Sequence, residues 1–202
     1  VGSEMCIRDS YCASASAVSA LKRRIAFESG MQIIELVKND IKPSDIITKE
    51  SMLNMIKCDL ALGGSTNTFL HTLAVANAGG IDITIDDFDK LSRKIHQIVK
   101  INPSSTLTMT DFHNAGGVPA VLKSMKSLLS DTKSVSGLSL YEIADSAYED
   151  EKIIPPYESS AYHEAGLGVL YGNLAKDGCV IKISGVDVSC YVFEGSARTF
   201  DS

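Results

Sequence analysis

The hydrophobic pattern of this chain changes period near residue 149. Before that point apolar residues recur every three or four positions, as on one face of an α-helix. After it they alternate with polar ones, as on a strand. Val18, Leu21 and Ile25, continued by Ile34 and Val37, predict a helix over 17–39, interrupted by Gly30 and closed by Pro43. Met52, Met55, Ile56 and Leu60 predict a second over 49–62, with Thr48 as N-cap and the pair Gly63-Gly64 as its stop. A third follows at once, capped by Ser65 or Thr66. It turns Phe69, Leu70, Leu73 and Ala74 inward and ends at Gly79-Gly80.

Thr84 and Asp87 have capping-box spacing and open a fourth helix reaching His96, with Phe88, Leu91 and Ile95 inward. Residues 81–83 and 98–101 read as short extended runs. A fifth helix is expected over 111–129 in spite of Gly116, Gly117 and Pro119, and Ser139 with Glu142 caps a short sixth. The charge run 149–152, the pair Pro155-Pro156 and a polar stretch to Glu164 mark a linker. Beyond it Val180, Lys182 and Ser184 alternate with Ile181, Ile183 and Gly185, and Val188, Cys190 and Val192 share a face. Turns at Asp177-Gly178 and 185–187 complete a β-rich pattern. The expected fold class is α/β: a helical part over 11–154, then a linker and the opening strands of a β-rich part over 155–202.

Composition narrows the partners. At 202 residues, 45% hydrophobic and 22% charged, the chain can bury a core and is no disordered segment. Nineteen basic against 25 acidic side chains leave a net charge of -6. That sign repels phosphate backbones and anionic lipid, so neither nucleic acid nor a membrane is an expected partner. No apolar run approaches the ~18 residues of a membrane span. The five cysteines form no CxxC pair, which suggests neither a disulfide framework nor a zinc site and favours a cytoplasmic location. Residues 1–10, VGSEMCIRDS, have neither helical period nor signal-peptide logic and resemble a translated sequencing adapter.

The most informative local feature is Gly63-Gly64-Ser65-Thr66-Asn67. Two glycines allow close backbone approach, and hydroxyls and an amide follow at a helix N-terminus, where free N–H groups favour a carboxylate or phosphate. An ordinary helix–helix turn wants the same residues, so both readings stand. Gly166, Gly168 and Gly172 do not keep dinucleotide-binding spacing. His113 beside Asn114 could serve as a general acid or base, but with no partner identifiable it reads first as a helix-start histidine with a local hydrogen bond; His71 reads as packed or half-exposed. Cys58, Cys179 and Cys190 fit small buried positions. Asp86, Asp87 and Asp89 read as helix-start charge on a solvated face. No complete catalytic constellation appears.

Five motifs in order resemble the dihydroxy-acid and phosphogluconate dehydratase family, and its dihydroxy-acid branch in particular. They are 61–67 with His71 following, 86–94, Asp111-Phe112-His113-Asn114-Ala115-Gly116-Gly117-Val118-Pro119, 166–174 with Asp177-Gly178, and 193–198. Ser196 stands where the family usually has proline. The resemblance implies a hydro-lyase converting 2,3-dihydroxy acids to 2-keto acids in valine and isoleucine biosynthesis. It implies an iron–sulfur cluster as Lewis acid, a magnesium ion on the substrate and a serine alkoxide as base. It further implies a small-molecule dihydroxy acid as partner, a homodimer for the complete protein, and a β-barrel-like second domain. It places the cluster cysteines and the first magnesium ligands upstream of residue 12, and the last magnesium ligand and the serine downstream of Ser202. No catalytic or metal-ligating residue then falls in this chain. Ser65, Thr66 and Asn67 remain as candidates to line the substrate pocket. Two alternatives stay open: a sugar-acid dehydratase of the same family, and a non-catalytic ligand-binding domain of the same fold.

Overall fold

The computed structural model describes residues 14–102, 104–196 and 198. Residues 1–10, expected to be adapter-derived, lie outside them. The helices are α1 (Ala20–Lys38), α2 (Pro43–Ile46), α3 (Lys49–Leu62), α4 (Asn67–Gly79), α5 (Ile85–Ser92), α6 (Met109–Asn114), α7 (Gly117–Ser124) and α8 (Leu140–Ser146). Two short strands follow, β1 (Gly168–Leu170) and β2 (Cys179–Ile181). The expected α/β class thus resolves into a helix-rich body with a small antiparallel sheet.

The core is built around α3. The Thr48 hydroxyl accepts from the Ser51 amide and Ser51 bonds back to the Thr48 amide, which fixes the start of the helix. Met52, Met55, Ile56 and Leu60 are all buried, as their spacing predicts. Asn54, buried among them, exchanges hydrogen bonds with the Ser130 backbone, its amide to the carbonyl at 2.8 Å and its carbonyl from the N–H at 3.0 Å. A buried amide left without such partners would cost ~1–3 kcal/mol. Phe88 of α5 stacks on Phe69 of α4, with ring centroids 4.0 Å apart.

Several expectations are corrected. Helix α1 forms but its predicted stripe is not a buried one: Val18, Ile34 and Val37 are exposed, and only Leu36 is buried. Pro43 opens α2 rather than merely closing the preceding segment, because a proline at the first helical position loses no hydrogen bond. Helix α4 buries Thr68, Phe69, Thr72 and Ala76, while Leu70 is exposed. The fourth predicted helix stops at Ser92, not His96. The fifth is two helices, split where Gly116 takes φ +113°. Pro119 then sits in the first turn of α7, where its missing N–H costs nothing. Residues 98–101 form no strand.

Strand pairing is limited to Gly168↔Ile181, Val169↔Val180 and Leu170↔Cys179. Past Ile181 the expected alternation gives way to 3₁₀ turns at Ile183–Gly185 and Val188–Cys190. Asp187 accepts from the Ser189 amide and hydroxyl, a local side-chain bond that competes with a ladder. The described residues form no barrel. The stretch expected as a linker is fastened down. Ile154 is fully buried, the Ser124 hydroxyl donates to the Pro155 carbonyl at 2.7 Å, and Tyr157 stacks on His96.

Candidate functional site

Helix α3 ends inside the protein, so its last four carbonyls need partners other than water. All four have one. The Gly64 N–H donates to Asp59 O at 3.0 Å, and Gly63 and Gly166 donate to Leu60 O at 3.3 and 3.0 Å. Ile98 N–H donates to Ala61 O at 2.8 Å, and the Gln97 side-chain amide to Leu62 O at 3.4 Å. Two stretches remote in sequence, 97–98 and 166, therefore complete the helix end.

The chain reverses there through Gly63, whose φ of +59° is a left-handed conformation that suits glycine. Space is as limiting as torsion. A Cβ on Gly63 would meet the Gln97 amide, one on Gly64 the Asp59 carboxyl, and one on Gly166 the Cα of Gly63. The crowding is mutual: the turn is sealed between the end of α3, the crossing segment 97–98 and the approach to β1 at Gly166.

Asp59 lies at the bottom of this turn, 3% exposed. The Thr68 hydroxyl donates to its Oδ1 at 3.2 Å, and the Ser65 amide also donates to the carboxyl. The Lys182 ammonium donates to the Gly64 carbonyl at 3.0 Å, close enough for its charge to act on Asp59. Among the described residues Asp59 Oδ2 has no hydrogen-bond partner, and neither has the buried hydroxyl of Ser184 beside Gly63. Burial outweighs the favourable contacts of Thr68, Ser65 and Lys182 and pushes the carboxyl up to about 7. The start of α4 thus already has a carboxyl group of the chain itself packed against it.

Of the three residues expected at a pocket, Ser65 and Thr66 are half-buried and Asn67 is exposed. Neither hydroxyl caps α4 in the expected way. The Thr68 and Phe69 amides go to the Ser65 and Thr66 carbonyls at 2.9 and 3.2 Å. Thr66 makes no side-chain cap bond, and the Ser65 hydroxyl accepts weakly from Asn67 N–H at 3.3 Å. A cavity of about 610 Å³ opens beside β1 and β2, lined in part by Asp89, Arg93, Ile181, Ile183 and Tyr191; Ser65, Thr66 and Asn67 are not in its lining.

The other candidates take structural places. His113, in the last turn of α6, has a partner far away in sequence, its Nδ1 lying 2.8 Å from the Ser14 hydroxyl. His71 is exposed. Cys58 is buried against Met125, whereas Cys179 and Cys190 are exposed, contrary to expectation. Asp87 closes the capping box of α5, Asp89 pairs with Arg93 at 3.1 Å, and Asp86 accepts from the Tyr171 hydroxyl at 2.9 Å. No three His, Cys, Asp or Glu side chains among the described residues gather where a metal ion could sit.

Residues 3–143 match the family model described as dihydroxy-acid/6-phosphogluconate dehydratase N-terminal, and residues 152–202 match its C-terminal counterpart. The chain belongs to the dihydroxy-acid/6-phosphogluconate dehydratase family. It is 47% identical over 192 residues to the dihydroxy-acid dehydratase of Geobacter sulfurreducens, and 49% identical over 193 residues to that of Methanococcus maripaludis strain C5. Each match covers 95% of this chain but only 35% of the relative, so the chain spans about a third of their length. Within this dehydratase frame the turn has a distinct place. Asp59, Gly63 and Gly64 lie in the segment matching the N-terminal model; Gly166, Lys182 and Ser184 lie in the segment matching the C-terminal one. The turn is one of the places where the two family segments meet. Sequence reasoning named the turn but missed Asp59, Gln97, Gly166, Lys182 and Ser184 around it. One signal was available: Asp59 falls three after Ile56 and four after Met55, a charge in register with the buried stripe.

Proposed function

We propose that the complete protein carrying this segment is a hydro-lyase that dehydrates 2,3-dihydroxy carboxylic acids to 2-keto acids in valine and isoleucine biosynthesis. The observation that carries this reading is 47–49% identity, over 95% of the chain, to proteins named dihydroxy-acid dehydratase. The same reading gives the complete protein an iron–sulfur cluster, a magnesium ion, a homodimeric assembly and a cytoplasmic location. It divides this chain into part of an α/β N-terminal domain over 11–154 and the opening of a barrel-like second domain over 155–202. No helix among the described residues is long and apolar enough to cross a membrane.

The described residues do not fit either metal group: Cys58 faces Met125 in the core, and no acidic, histidine or cysteine cluster accompanies it. What this chain contributes is binding and orientation. Ser65, Thr66 and Asn67 present two hydroxyls and an amide at the start of α4, groups suited to the hydroxyls and carboxylate of a dihydroxy acid.

The test is an assay of the complete gene product on 2,3-dihydroxyisovalerate against gluconate-type acids, with 2-keto acid formation as readout. Turnover of the branched substrate with little on the sugar acids is expected. The reverse preference would make the protein a sugar-acid dehydratase, and no turnover of either would favour a non-catalytic member. The 202-residue chain alone is expected to be inactive in the same assay.

A further inference from the structure

Asp59 stands out as a buried ionisable group that the proposed chemistry does not use. It is nearly inaccessible, one of its oxygens has no partner among the described residues, and the turn above it is too tight for a Cβ at Gly64. Its neighbours come from three elements. The start of α4 offers the Thr68 hydroxyl and the Ser65 amide, the segment after β2 offers the Lys182 charge, and the neutral side chains of Gln97, from the crossing segment, and Ser184, after β2, stand beyond, against Gly63. Lys182 is the charged side chain that acts on it.

We propose that Asp59 is a positioning residue: its carboxyl group holds Ser65, Thr66 and Asn67 in place for the substrate and fastens the Lys182 segment to them. The inference rests on the reading that those three residues meet substrate. The physical basis is the asymmetry between the closed turn and an opened one. In the closed turn the carboxyl is dry; once the turn opens, water solvates it and the charged form becomes cheap. The proton therefore favours closure. Neutral Asp59 keeps the turn shut, and its ionisation loosens the turn and the contact of Lys182 with Gly64. Lys182 limits the effect because its charge partly offsets the buried carboxylate.

Hydrogen exchange of the 202-residue chain, corrected for the intrinsic pH dependence, reads this directly. Opening of residues 64–69 is expected to rise about tenfold between pH 6 and pH 8. In Asp59→Asn, which keeps the neutral shape, the rise disappears. In Lys182→Met it becomes several times steeper, because the carboxylate loses its offsetting charge. A flat wild-type profile overturns the proposal, as does an Asp59→Asn profile with the wild-type slope. Should Asp59→Asn not fold, Lys182→Met decides: a steeper rise supports the proposal and an unchanged one overturns it. In the complete enzyme, Asp59→Asn is expected to flatten the pH profile of KM over the same range, and an unaltered profile overturns positioning for substrate. Asn67→Ala separates the underlying reading: unchanged KM and kcat would remove the substrate from the turn while leaving the exchange result in force.

Discussion

Two Gly-Gly pairs end helices in this chain, and they serve different needs. Gly63 and Gly80 both take left-handed backbone angles, φ +59° and +66°, and both close the helix before them. Around Gly80 there is open space; around Gly63 and Gly64 a Cβ would meet Gln97 and Asp59. The first pair is glycine for torsion and room together, the second for torsion alone. Two glycine pairs that each close a helix, the first through its leading glycine and the second through its trailing one, thus differ in what the rest of the fold brings to them. At 63–64 it brings the crossing segment, Gly166 and Lys182; at 79–80 it brings solvent.

That difference predicts a graded series. Gly166→Ala is expected to be the most damaging substitution, since its Cβ would fall on the Gly63 backbone, which cannot rotate away. A loss of about 3 kcal/mol in urea unfolding is the expected outcome. A loss no larger than that of Gly80→Ala would mean the turn is not sealed. Next comes the charge inside the crowded turn. The folded carboxyl of Asp59 is raised to about 7, so it binds a proton that the unfolded chain releases near pH 4. The stability this confers is whole below about pH 4 and is lost as pH rises through about 7. Relative to Asp59→Asn, the wild-type chain is therefore expected to lose about 2 kcal/mol between pH 5 and pH 8. Parallel pH profiles for the two would contradict it. The open pair gives the smallest effect: Gly80→Ala costs about 1 kcal/mol of left-handed strain, and Gly80→Asn less, because asparagine tolerates that region. Equal losses for the two would show that space, not torsion, limits this site as well.

Local signals were legible in the sequence and long-range ones were not. The caps at Thr48, Thr84 and Ser139, the stripe of α3 and the turn at Gly178 follow from residues a few positions apart, and all form as expected. The faces of α1 and α4 were misread because periodicity reports that a helix is amphipathic, not what it packs against. Leu70 is exposed and Thr72 buried because Thr72 lies over Met55. The predicted fifth helix hid a break because glycine and proline are compatible with both a helix start and a helix interior interruption. The expected strands beyond Ile181 yielded to short-range hydrogen bonds that Ser189 donates to Asp187. The candidate site divides along the same line. Gly63–Asn67 announces a tight turn before a helix, but the groups that seal it come from residues 97, 166 and 182. Only the carboxylate of Asp59, misplaced on an apolar stripe, hinted that something buried was waiting for partners.

Site-specific ¹³C titration of the Asp59 side-chain carboxyl in the 202-residue chain is the most direct measurement of whether this turn encloses a dry carboxyl. A midpoint near 7 is the expected result. A midpoint below about 5, in the range of a solvated carboxylate, would contradict it.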